Sequence, residues 1–144
     1  MEKSGQTLPE IRKTVELKAP IGKVWQAVST AEGLRAWWMD NTFQAEKGYE
    51  FVVRSEHFGE SPCRVTELEP PRRLSFAWGK DWTLTFELEE TEEGGTRFTL
   101  VHSGWDADAQ TEFGQPHPVV RGIMDGGWEK IVHQSLADYI DGTV

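Results

Sequence analysis

Cysteine is almost absent. Cys63 stands alone in 144 residues, so no intrachain disulfide can form and no cysteine cluster can hold a metal. Long apolar runs are missing too: no window approaches the roughly 20 apolar residues that span a bilayer, and Met1 to Glu10 lacks the apolar core of a secretory leader. Positive charge is scarce. Fifteen Lys and Arg stand against 24 Asp and Glu, and the formal charge of -9 repels nucleic acid and anionic lipid. The expectation is a cytoplasmic protein with a reduced thiol, no nucleic-acid partner and no membrane insertion, whose partners are neutral, apolar or basic.

Catalytic signatures are missing as well. The sequence has no Gly-x-Ser-x-Gly elbow, no His-Glu-x-x-His, no phosphate-cradling Gly-x-x-x-x-Gly-Lys and no dinucleotide Gly-x-Gly-x-x-Gly after a strand. Asp106, Asp108, Glu112 and His117 fall in a long loop after Trp105, where they could ligate a cation or act as acid and base. An acidic loop is ordinarily a solvated one, so no catalytic residue, no metal ligand and no cofactor is assigned.

What the chain does have is clear periodicity and seven tryptophans. Ile11, Val15 and Leu17 alternate with Arg12, Thr14, Glu16 and Lys18, the pattern of a half-buried strand. Pro20 ends it, and Ile21, Val24, Trp25 and Val28 follow at helical spacing. Thr30 is a candidate cap for a second short helix bearing Leu34, Trp37 and Trp38, although a full capping box would need Glu or Gln where Gly33 stands. Adjacent helical residues face apart, so one of Trp37 and Trp38 is expected to be exposed or at a pocket mouth.

From Thr42 to His102 the period becomes two, broken at Gly48, Gly59 to Pro62, Pro70-Pro71, Gly79 to Asp81 and Gly94-Gly95. This spacing predicts an antiparallel meander of five strands, with Glu89 to Glu93 as a charged hairpin turn. Its apolar face needs a cover, and the candidate is a helix over about 119–141 carrying Val120, Ile123, Met124, Gly127, Trp128, Ile131, Leu136, Tyr139 and Ile140. At 1.5 Å per residue such a helix runs roughly 35 Å, enough to cross the sheet. The predicted organisation is a tail over 1–10 and one α+β domain over 11–141.

Ala19-Pro20 through Val24-Trp25, Trp37-Trp38, the turn Glu69 to Leu74 followed by Phe76-Ala77-Trp78, His102-Ser103-Gly104-Trp105 and Gly127-Trp128 occur in an order that resembles the helix-grip fold of the START-like or SRPBCC superfamily (Bet v 1-like). Within it the chain resembles the family named after the activator of the 90-kDa heat-shock chaperone ATPase. The resemblance implies a curved antiparallel sheet of about six strands gripping a long C-terminal helix around an apolar cavity, with two short helices after the first strand. The chaperone activator has a separate N-terminal domain, whereas about ten residues precede the first strand here, so a complete activator is not expected.

The function the resemblance implies is binding of a small hydrophobic, aromatic or lipid-like molecule between sheet and helix. The alternatives are a chaperone-linked or other adaptor with a protein partner of unknown identity, and a hydrolase or cyclase using the same cavity. The pocket is assigned to Trp38, Phe51, Val53, Phe76, Trp78, Leu84, Phe86, His102, Trp105, Ile123, Gly127, Trp128 and Ile131. Trp25 and Phe98 read as core, while core and pocket lining stay open for Trp78, Trp105 and Trp128. Tyr49, Phe51, Val53, Ser55 and His57 share one strand phase; Ser55, His57 and His102 could end inward-facing rows. His102 reads first as a structural hydrogen-bonding group and second as a ligand contact. Gly126-Gly127 reads as a close helix-to-sheet approach or a kink, with space left for a ligand as the alternative.

Overall fold

The computed structural model describes residues 8–55, 59–79, 82–105 and 116–141. Strand β1 (Ile11–Leu17) is followed by helices α1 (Ile21–Val28) and α2 (Ala31–Trp37). Then come β2 (Asp40–Asn41), β3 (Glu50–Ser55), β4 (Gly59–Glu69), β5 (Arg73–Trp78), β6 (Trp82–Glu90) and β7 (Thr96–Ser103). A continuous C-terminal helix runs as α3 (His117–Lys130), a π-helical stretch (Ile131–Leu136) and α4 (Ala137–Asp141).

The strands form one curled antiparallel sheet in the order β1-β7-β6-β5-β4-β3-β2. Strands β3 to β7 are the five-stranded meander that the period-two run predicts. The seventh strand, β2, is two residues long and too short to show a period; it pairs Asp40 with Arg54 and Asn41 with Val53. Register puts the apolar phase of each strand on one face: Phe76 lies opposite Leu84, Phe86 opposite Leu100 and Leu88 opposite Phe98. These side chains form the core with Val24, Val28, Leu34, Trp37 and the helix residues Val132, Leu136 and Ile140.

Local chemistry explains the two short helices. Pro20, extended at φ -66°, leads into α1, and the Thr30 hydroxyl accepts the Gly33 N–H at 3.0 Å to start α2. Glycine at 33 also explains the missing capping-box carboxylate. A Cβ there would sit 2.4 Å from the Ala27 carbonyl oxygen, so α1 and α2 pack too closely for any side chain. Of the paired tryptophans, Trp37 is buried and Trp38 half-buried.

The C-terminal helix buries Val120, Trp128, Val132, Leu136 and Ile140, with Met124 partly buried between them. This stripe has a period of four, whereas the sequence pattern reads closer to 3.6. Four residues of α-helix turn about 400°, so a period-four stripe drifts by about 40° per repeat. The π-helical turn winds more slowly, through i to i+5 bonding, and brings Val132, Leu136 and Ile140 back over the sheet. Within the regular α-helical part, Ile123 and Gly127 lie about 140° and 100° round from Trp128, on the solvent side, and Ile123 is 63% exposed. Gly126 and Gly127 are exposed with nothing within 4 Å of where a Cβ would stand, so neither marks a close approach to the sheet.

Candidate aromatic and histidine site under the C-terminal helix

At one end of the meander the strand termini deliver three rings to the inner face. Trp78 ends β5, Trp82 begins β6 as its Cα partner, and His102 lies near the end of β7 opposite Leu84. Gly104 then takes φ +95°, a conformation that suits glycine, and turns the chain so that the Trp105 indole donates to the His102 carbonyl at 3.0 Å. The His-Ser-Gly-Trp motif is thus a device that folds Trp105 back over the histidine.

The helix completes the cluster. Trp128 projects from α3 and its indole N–H donates to His102 Nδ1 at 2.9 Å. His117 is the buried first residue of α3 and lies 5.6 Å from Trp105 and 5.9 Å from Trp82, centroid to centroid. The sequence reading put His117 in the acidic loop; the helix begins earlier than about 119 and takes it into the core. Asp106, Asp108, Glu112 and His57 lie outside the described residues, as does the Ser55 side chain. Among the described residues no group of three His, Cys, Asp or Glu could hold a metal.

His102 is fully enclosed. Trp78 stacks on it at 5.1 Å, and Trp82 and Trp105 approach at 4.9 and 4.6 Å. Burial pushes its pKa from the ordinary 6.5 down to about 3, helped by the nearby positive charge of His117 when protonated and of Arg121. The imidazole is neutral at physiological pH. Among the described residues three buried nitrogens here have no hydrogen-bond partner: Trp78 Nε1, Trp82 Nε1 and His102 Nε2.

The cluster continues toward the middle of the sheet through Trp38, which meets Trp78 at 5.4 Å, Trp128 at 5.6 Å and Phe76 at 6.1 Å. Phe76 in turn meets Phe51 and Phe86. Of the residues assigned to the pocket, Trp38, Phe51, Phe76, Trp78, Phe86, His102, Trp105 and Trp128 therefore form one connected set of rings. Val53 and Leu84 are buried in the same core and Ile131 packs on its margin. Ile123 and Gly127 are not brought in, for the phase reason given above. Trp82 and His117 are additions, and the signal for Trp82 was its shared strand phase with Leu84 and Phe86.

Two contacts fix the helix over this end. Lys13 on the edge strand β1 pairs with Glu129 at 2.9 Å and Asp125 at 3.2 Å, and the Glu129 hydrogen bond holds the Lys13 pKa above its ordinary value. Arg121 donates to the Pro9 carbonyl at 2.7 Å. A shallow groove of about 450 Å³ on the outer side of the sheet, along Thr42, Val52, Pro62, Arg64 and Ala77, touches the ring cluster only through Phe51.

A curled antiparallel sheet closed over a C-terminal helix, with its aromatic face turned to that helix, defines a helix-grip domain. The chain belongs to the family of the Activator of Hsp90 ATPase homolog 1-like protein, whose family model matches residues 18–141. A Bacillus halodurans protein solved in solution is 47% identical, with a TM-score of 0.83 over 93% of this chain and 98% of that one. The Aha1 dimer from Colwellia psychrerythraea is 23% identical, with a TM-score of 0.74 over 93% of this chain and 97% of that one. DynU16, from the dynemicin biosynthetic locus, is also 23% identical, with a TM-score of 0.72 over 90% of this chain and 46% of that one. The last two share the fold. Comparison with curated proteins gives no match. Among the described residues no helix is long and apolar enough to cross a membrane.

Proposed function

We propose that this domain binds a small hydrophobic, aromatic molecule between the sheet and the C-terminal helix, at the rings around His102, as a cytoplasmic protein. The observation that carries this reading is the concentration of Trp38, Trp78, Trp82, Trp105 and Trp128 about one buried imidazole, with Trp38 half-buried at the margin. Apolar surfaces with a few polar tips are what small-molecule sites are made of, and the family's fold supports a ligand in this place. The buried lone thiol of Cys63 fits a reducing compartment.

The test is a titration with a panel of planar apolar compounds, followed by tryptophan fluorescence. Saturable quenching that disappears in Trp78→Ala is the expected result, with Trp105→Ala as a second variant. Linear, non-saturating quenching across the whole panel overturns the reading.

One observation favours a second reading as a protein-contact module. Val119 and Ile123 are exposed on α3 beside Gly122 and Gly126, an apolar face one helix turn apart. The Colwellia relative is solved as a dimer, and a second copy of this chain is the occupant we propose for that face. A concentration-dependent sedimentation coefficient, abolished by Ile123→Lys, is expected; a monomer at all concentrations removes it.

A further inference from the structure

The three nitrogens of Trp78, Trp82 and His102 that have no partner among the described residues are all donors. An indole Nε1 always carries hydrogen and never accepts. A neutral imidazole has one N–H and one bare nitrogen, and the Trp128 indole aims its N–H at His102 Nδ1, 2.9 Å away. Nδ1 must therefore be the bare nitrogen, which leaves the hydrogen on Nε2. Trp78 Nε1, Trp82 Nε1 and His102 Nε2 are three N–H groups with no acceptor among the described residues.

They are also neighbours. The rings of Trp78, Trp82 and His102 touch one another pairwise, with centroids 5.0, 5.1 and 4.9 Å apart. The other three buried indoles are satisfied: Trp37 donates to the Ala27 carbonyl, Trp105 to the His102 carbonyl and Trp128 to His102 Nδ1. Buried donors in native proteins are almost always paired, so three exceptions on three touching rings, each at least nine-tenths buried, mark a place for an acceptor that the described residues do not supply.

We infer that Trp78, Trp82 and His102 form a donor triad that recognises an acceptor oxygen, a ketone, quinone or ether oxygen, on a neutral aromatic ligand. This inference rests on the ligand reading above and specifies its chemistry. An oxygen with lone pairs fits the three N–H groups of Trp78, Trp82 and His102, which donate and do not accept. A carboxylate would be a buried anion among aromatic rings and a neutral imidazole, with the nearby Arg121 guanidinium already engaged by the Pro9 and Glu10 carbonyls, and burying such a charge is costly. Selectivity therefore comes from the oxygen, and affinity from the flat apolar surface around it.

The test uses two probes of nearly the same shape, 9-fluorenone with a carbonyl and fluorene with a methylene in its place. Binding is measured by tryptophan fluorescence, and the indole N–H resonances of the ¹⁵N-labelled protein are recorded alongside. Fluorenone is expected to bind at least about ten-fold more tightly, the change that one good hydrogen bond brings. The Trp78 and Trp82 N–H resonances should move downfield with fluorenone and not with fluorene, while that of Trp37 stays in place. Trp82→Phe keeps a ring and removes one donor, so it should reduce the fluorenone preference, and Trp78→Phe gives the same reading if Trp82→Phe fails to fold. Equal affinity for the two probes with unmoved indole resonances overturns the triad and leaves the apolar-ligand reading standing. Binding of neither probe overturns both. A persistent contact between these N–H groups and water while fluorenone is bound also overturns the triad, because water then supplies the acceptor.

Discussion

The two ends of the sheet-helix interface are built from the same kind of residue and finished differently. At one end Trp37, Phe86 and Phe98 pack within 5.5 to 6.2 Å of each other, the Trp37 indole donates to the Ala27 carbonyl, and the Thr96 hydroxyl donates to the Ala19 carbonyl. At the other end Trp78, Trp82 and His102 pack as closely, yet three N–H groups are left without a described partner. Aromatic packing alone does not separate a core from a site. Polar bookkeeping at the edges of the rings does, since a protein that stabilises itself pairs its buried donors and one that binds keeps some in reserve.

The comparison breaks most visibly at the paired end. Phe86 is fully buried between Trp37, Phe76 and Phe98, and Phe86→Ala should cost about 3 to 5 kcal/mol in urea unfolding, the usual range for emptying a phenylalanine site. A loss below about 1 kcal/mol would mean that this end is not the stabilising one.

The same substitution made at both ends sharpens the contrast. Trp37→Phe removes a donor from a buried carbonyl, whereas Trp82→Phe removes a donor that bonds to nothing described. Both lose similar ring volume, so the difference isolates the N–H group. Trp37→Phe should be the costlier by about 1 to 3 kcal/mol, the penalty for orphaning a buried partner. Equal costs from chemical unfolding would erase the distinction between the ends.

Acid should act on the His102 end. Its folded-state pKa is lowered from 6.5 to about 3, mainly by burial and further by His117 and Arg121. Between those two pH values the unfolded chain holds a proton on this side chain and the folded chain does not. Stability is therefore full above about pH 6.5 and falls as pH drops toward 3, with a slope of at most about 1.4 kcal/mol per pH unit from this one group. Urea midpoints across this range should decline in the wild type and decline less in His102→Gln. An identical slope in both would show that His102 does not titrate as described.

The smallest expected effect lies on the solvent side of the helix. Gly126→Ala and Gly127→Ala meet no atom within 4 Å and remove the conformational freedom of a helical glycine, so each should add about 0.5 to 1 kcal/mol. Destabilisation in thermal melts would place these glycines against something after all.

Much of this architecture was legible in the sequence because short-range physics sets it. The meander follows from alternation and glycine or proline breaks, and the Thr30 cap from its place before the second helix. The face of the C-terminal helix was legible in part. Trp128 and Leu136 belong to any reading of the stripe, but Ile123 and Gly127 sit in regular α-helix about 140° and 100° round from Trp128, so a pattern that joins them to the stripe misplaces both. The connected rings of the site could be assembled from strand phase. The unspent donors could not, because whether an indole finds an acceptor depends on which carbonyl lies beside it in space: Trp37 meets the Ala27 carbonyl and Trp82 no described acceptor.

A crystal structure of the protein grown with 9-fluorenone addresses the His102 end directly. The expected map has the flat ligand against Trp78, Trp82 and Trp128, with its oxygen within hydrogen-bonding distance of at least two of the three N–H groups on Trp78, Trp82 and His102. Rings closed on one another, with no ligand density beside those nitrogens, would contradict a binding site at this end and return the whole cluster to the core.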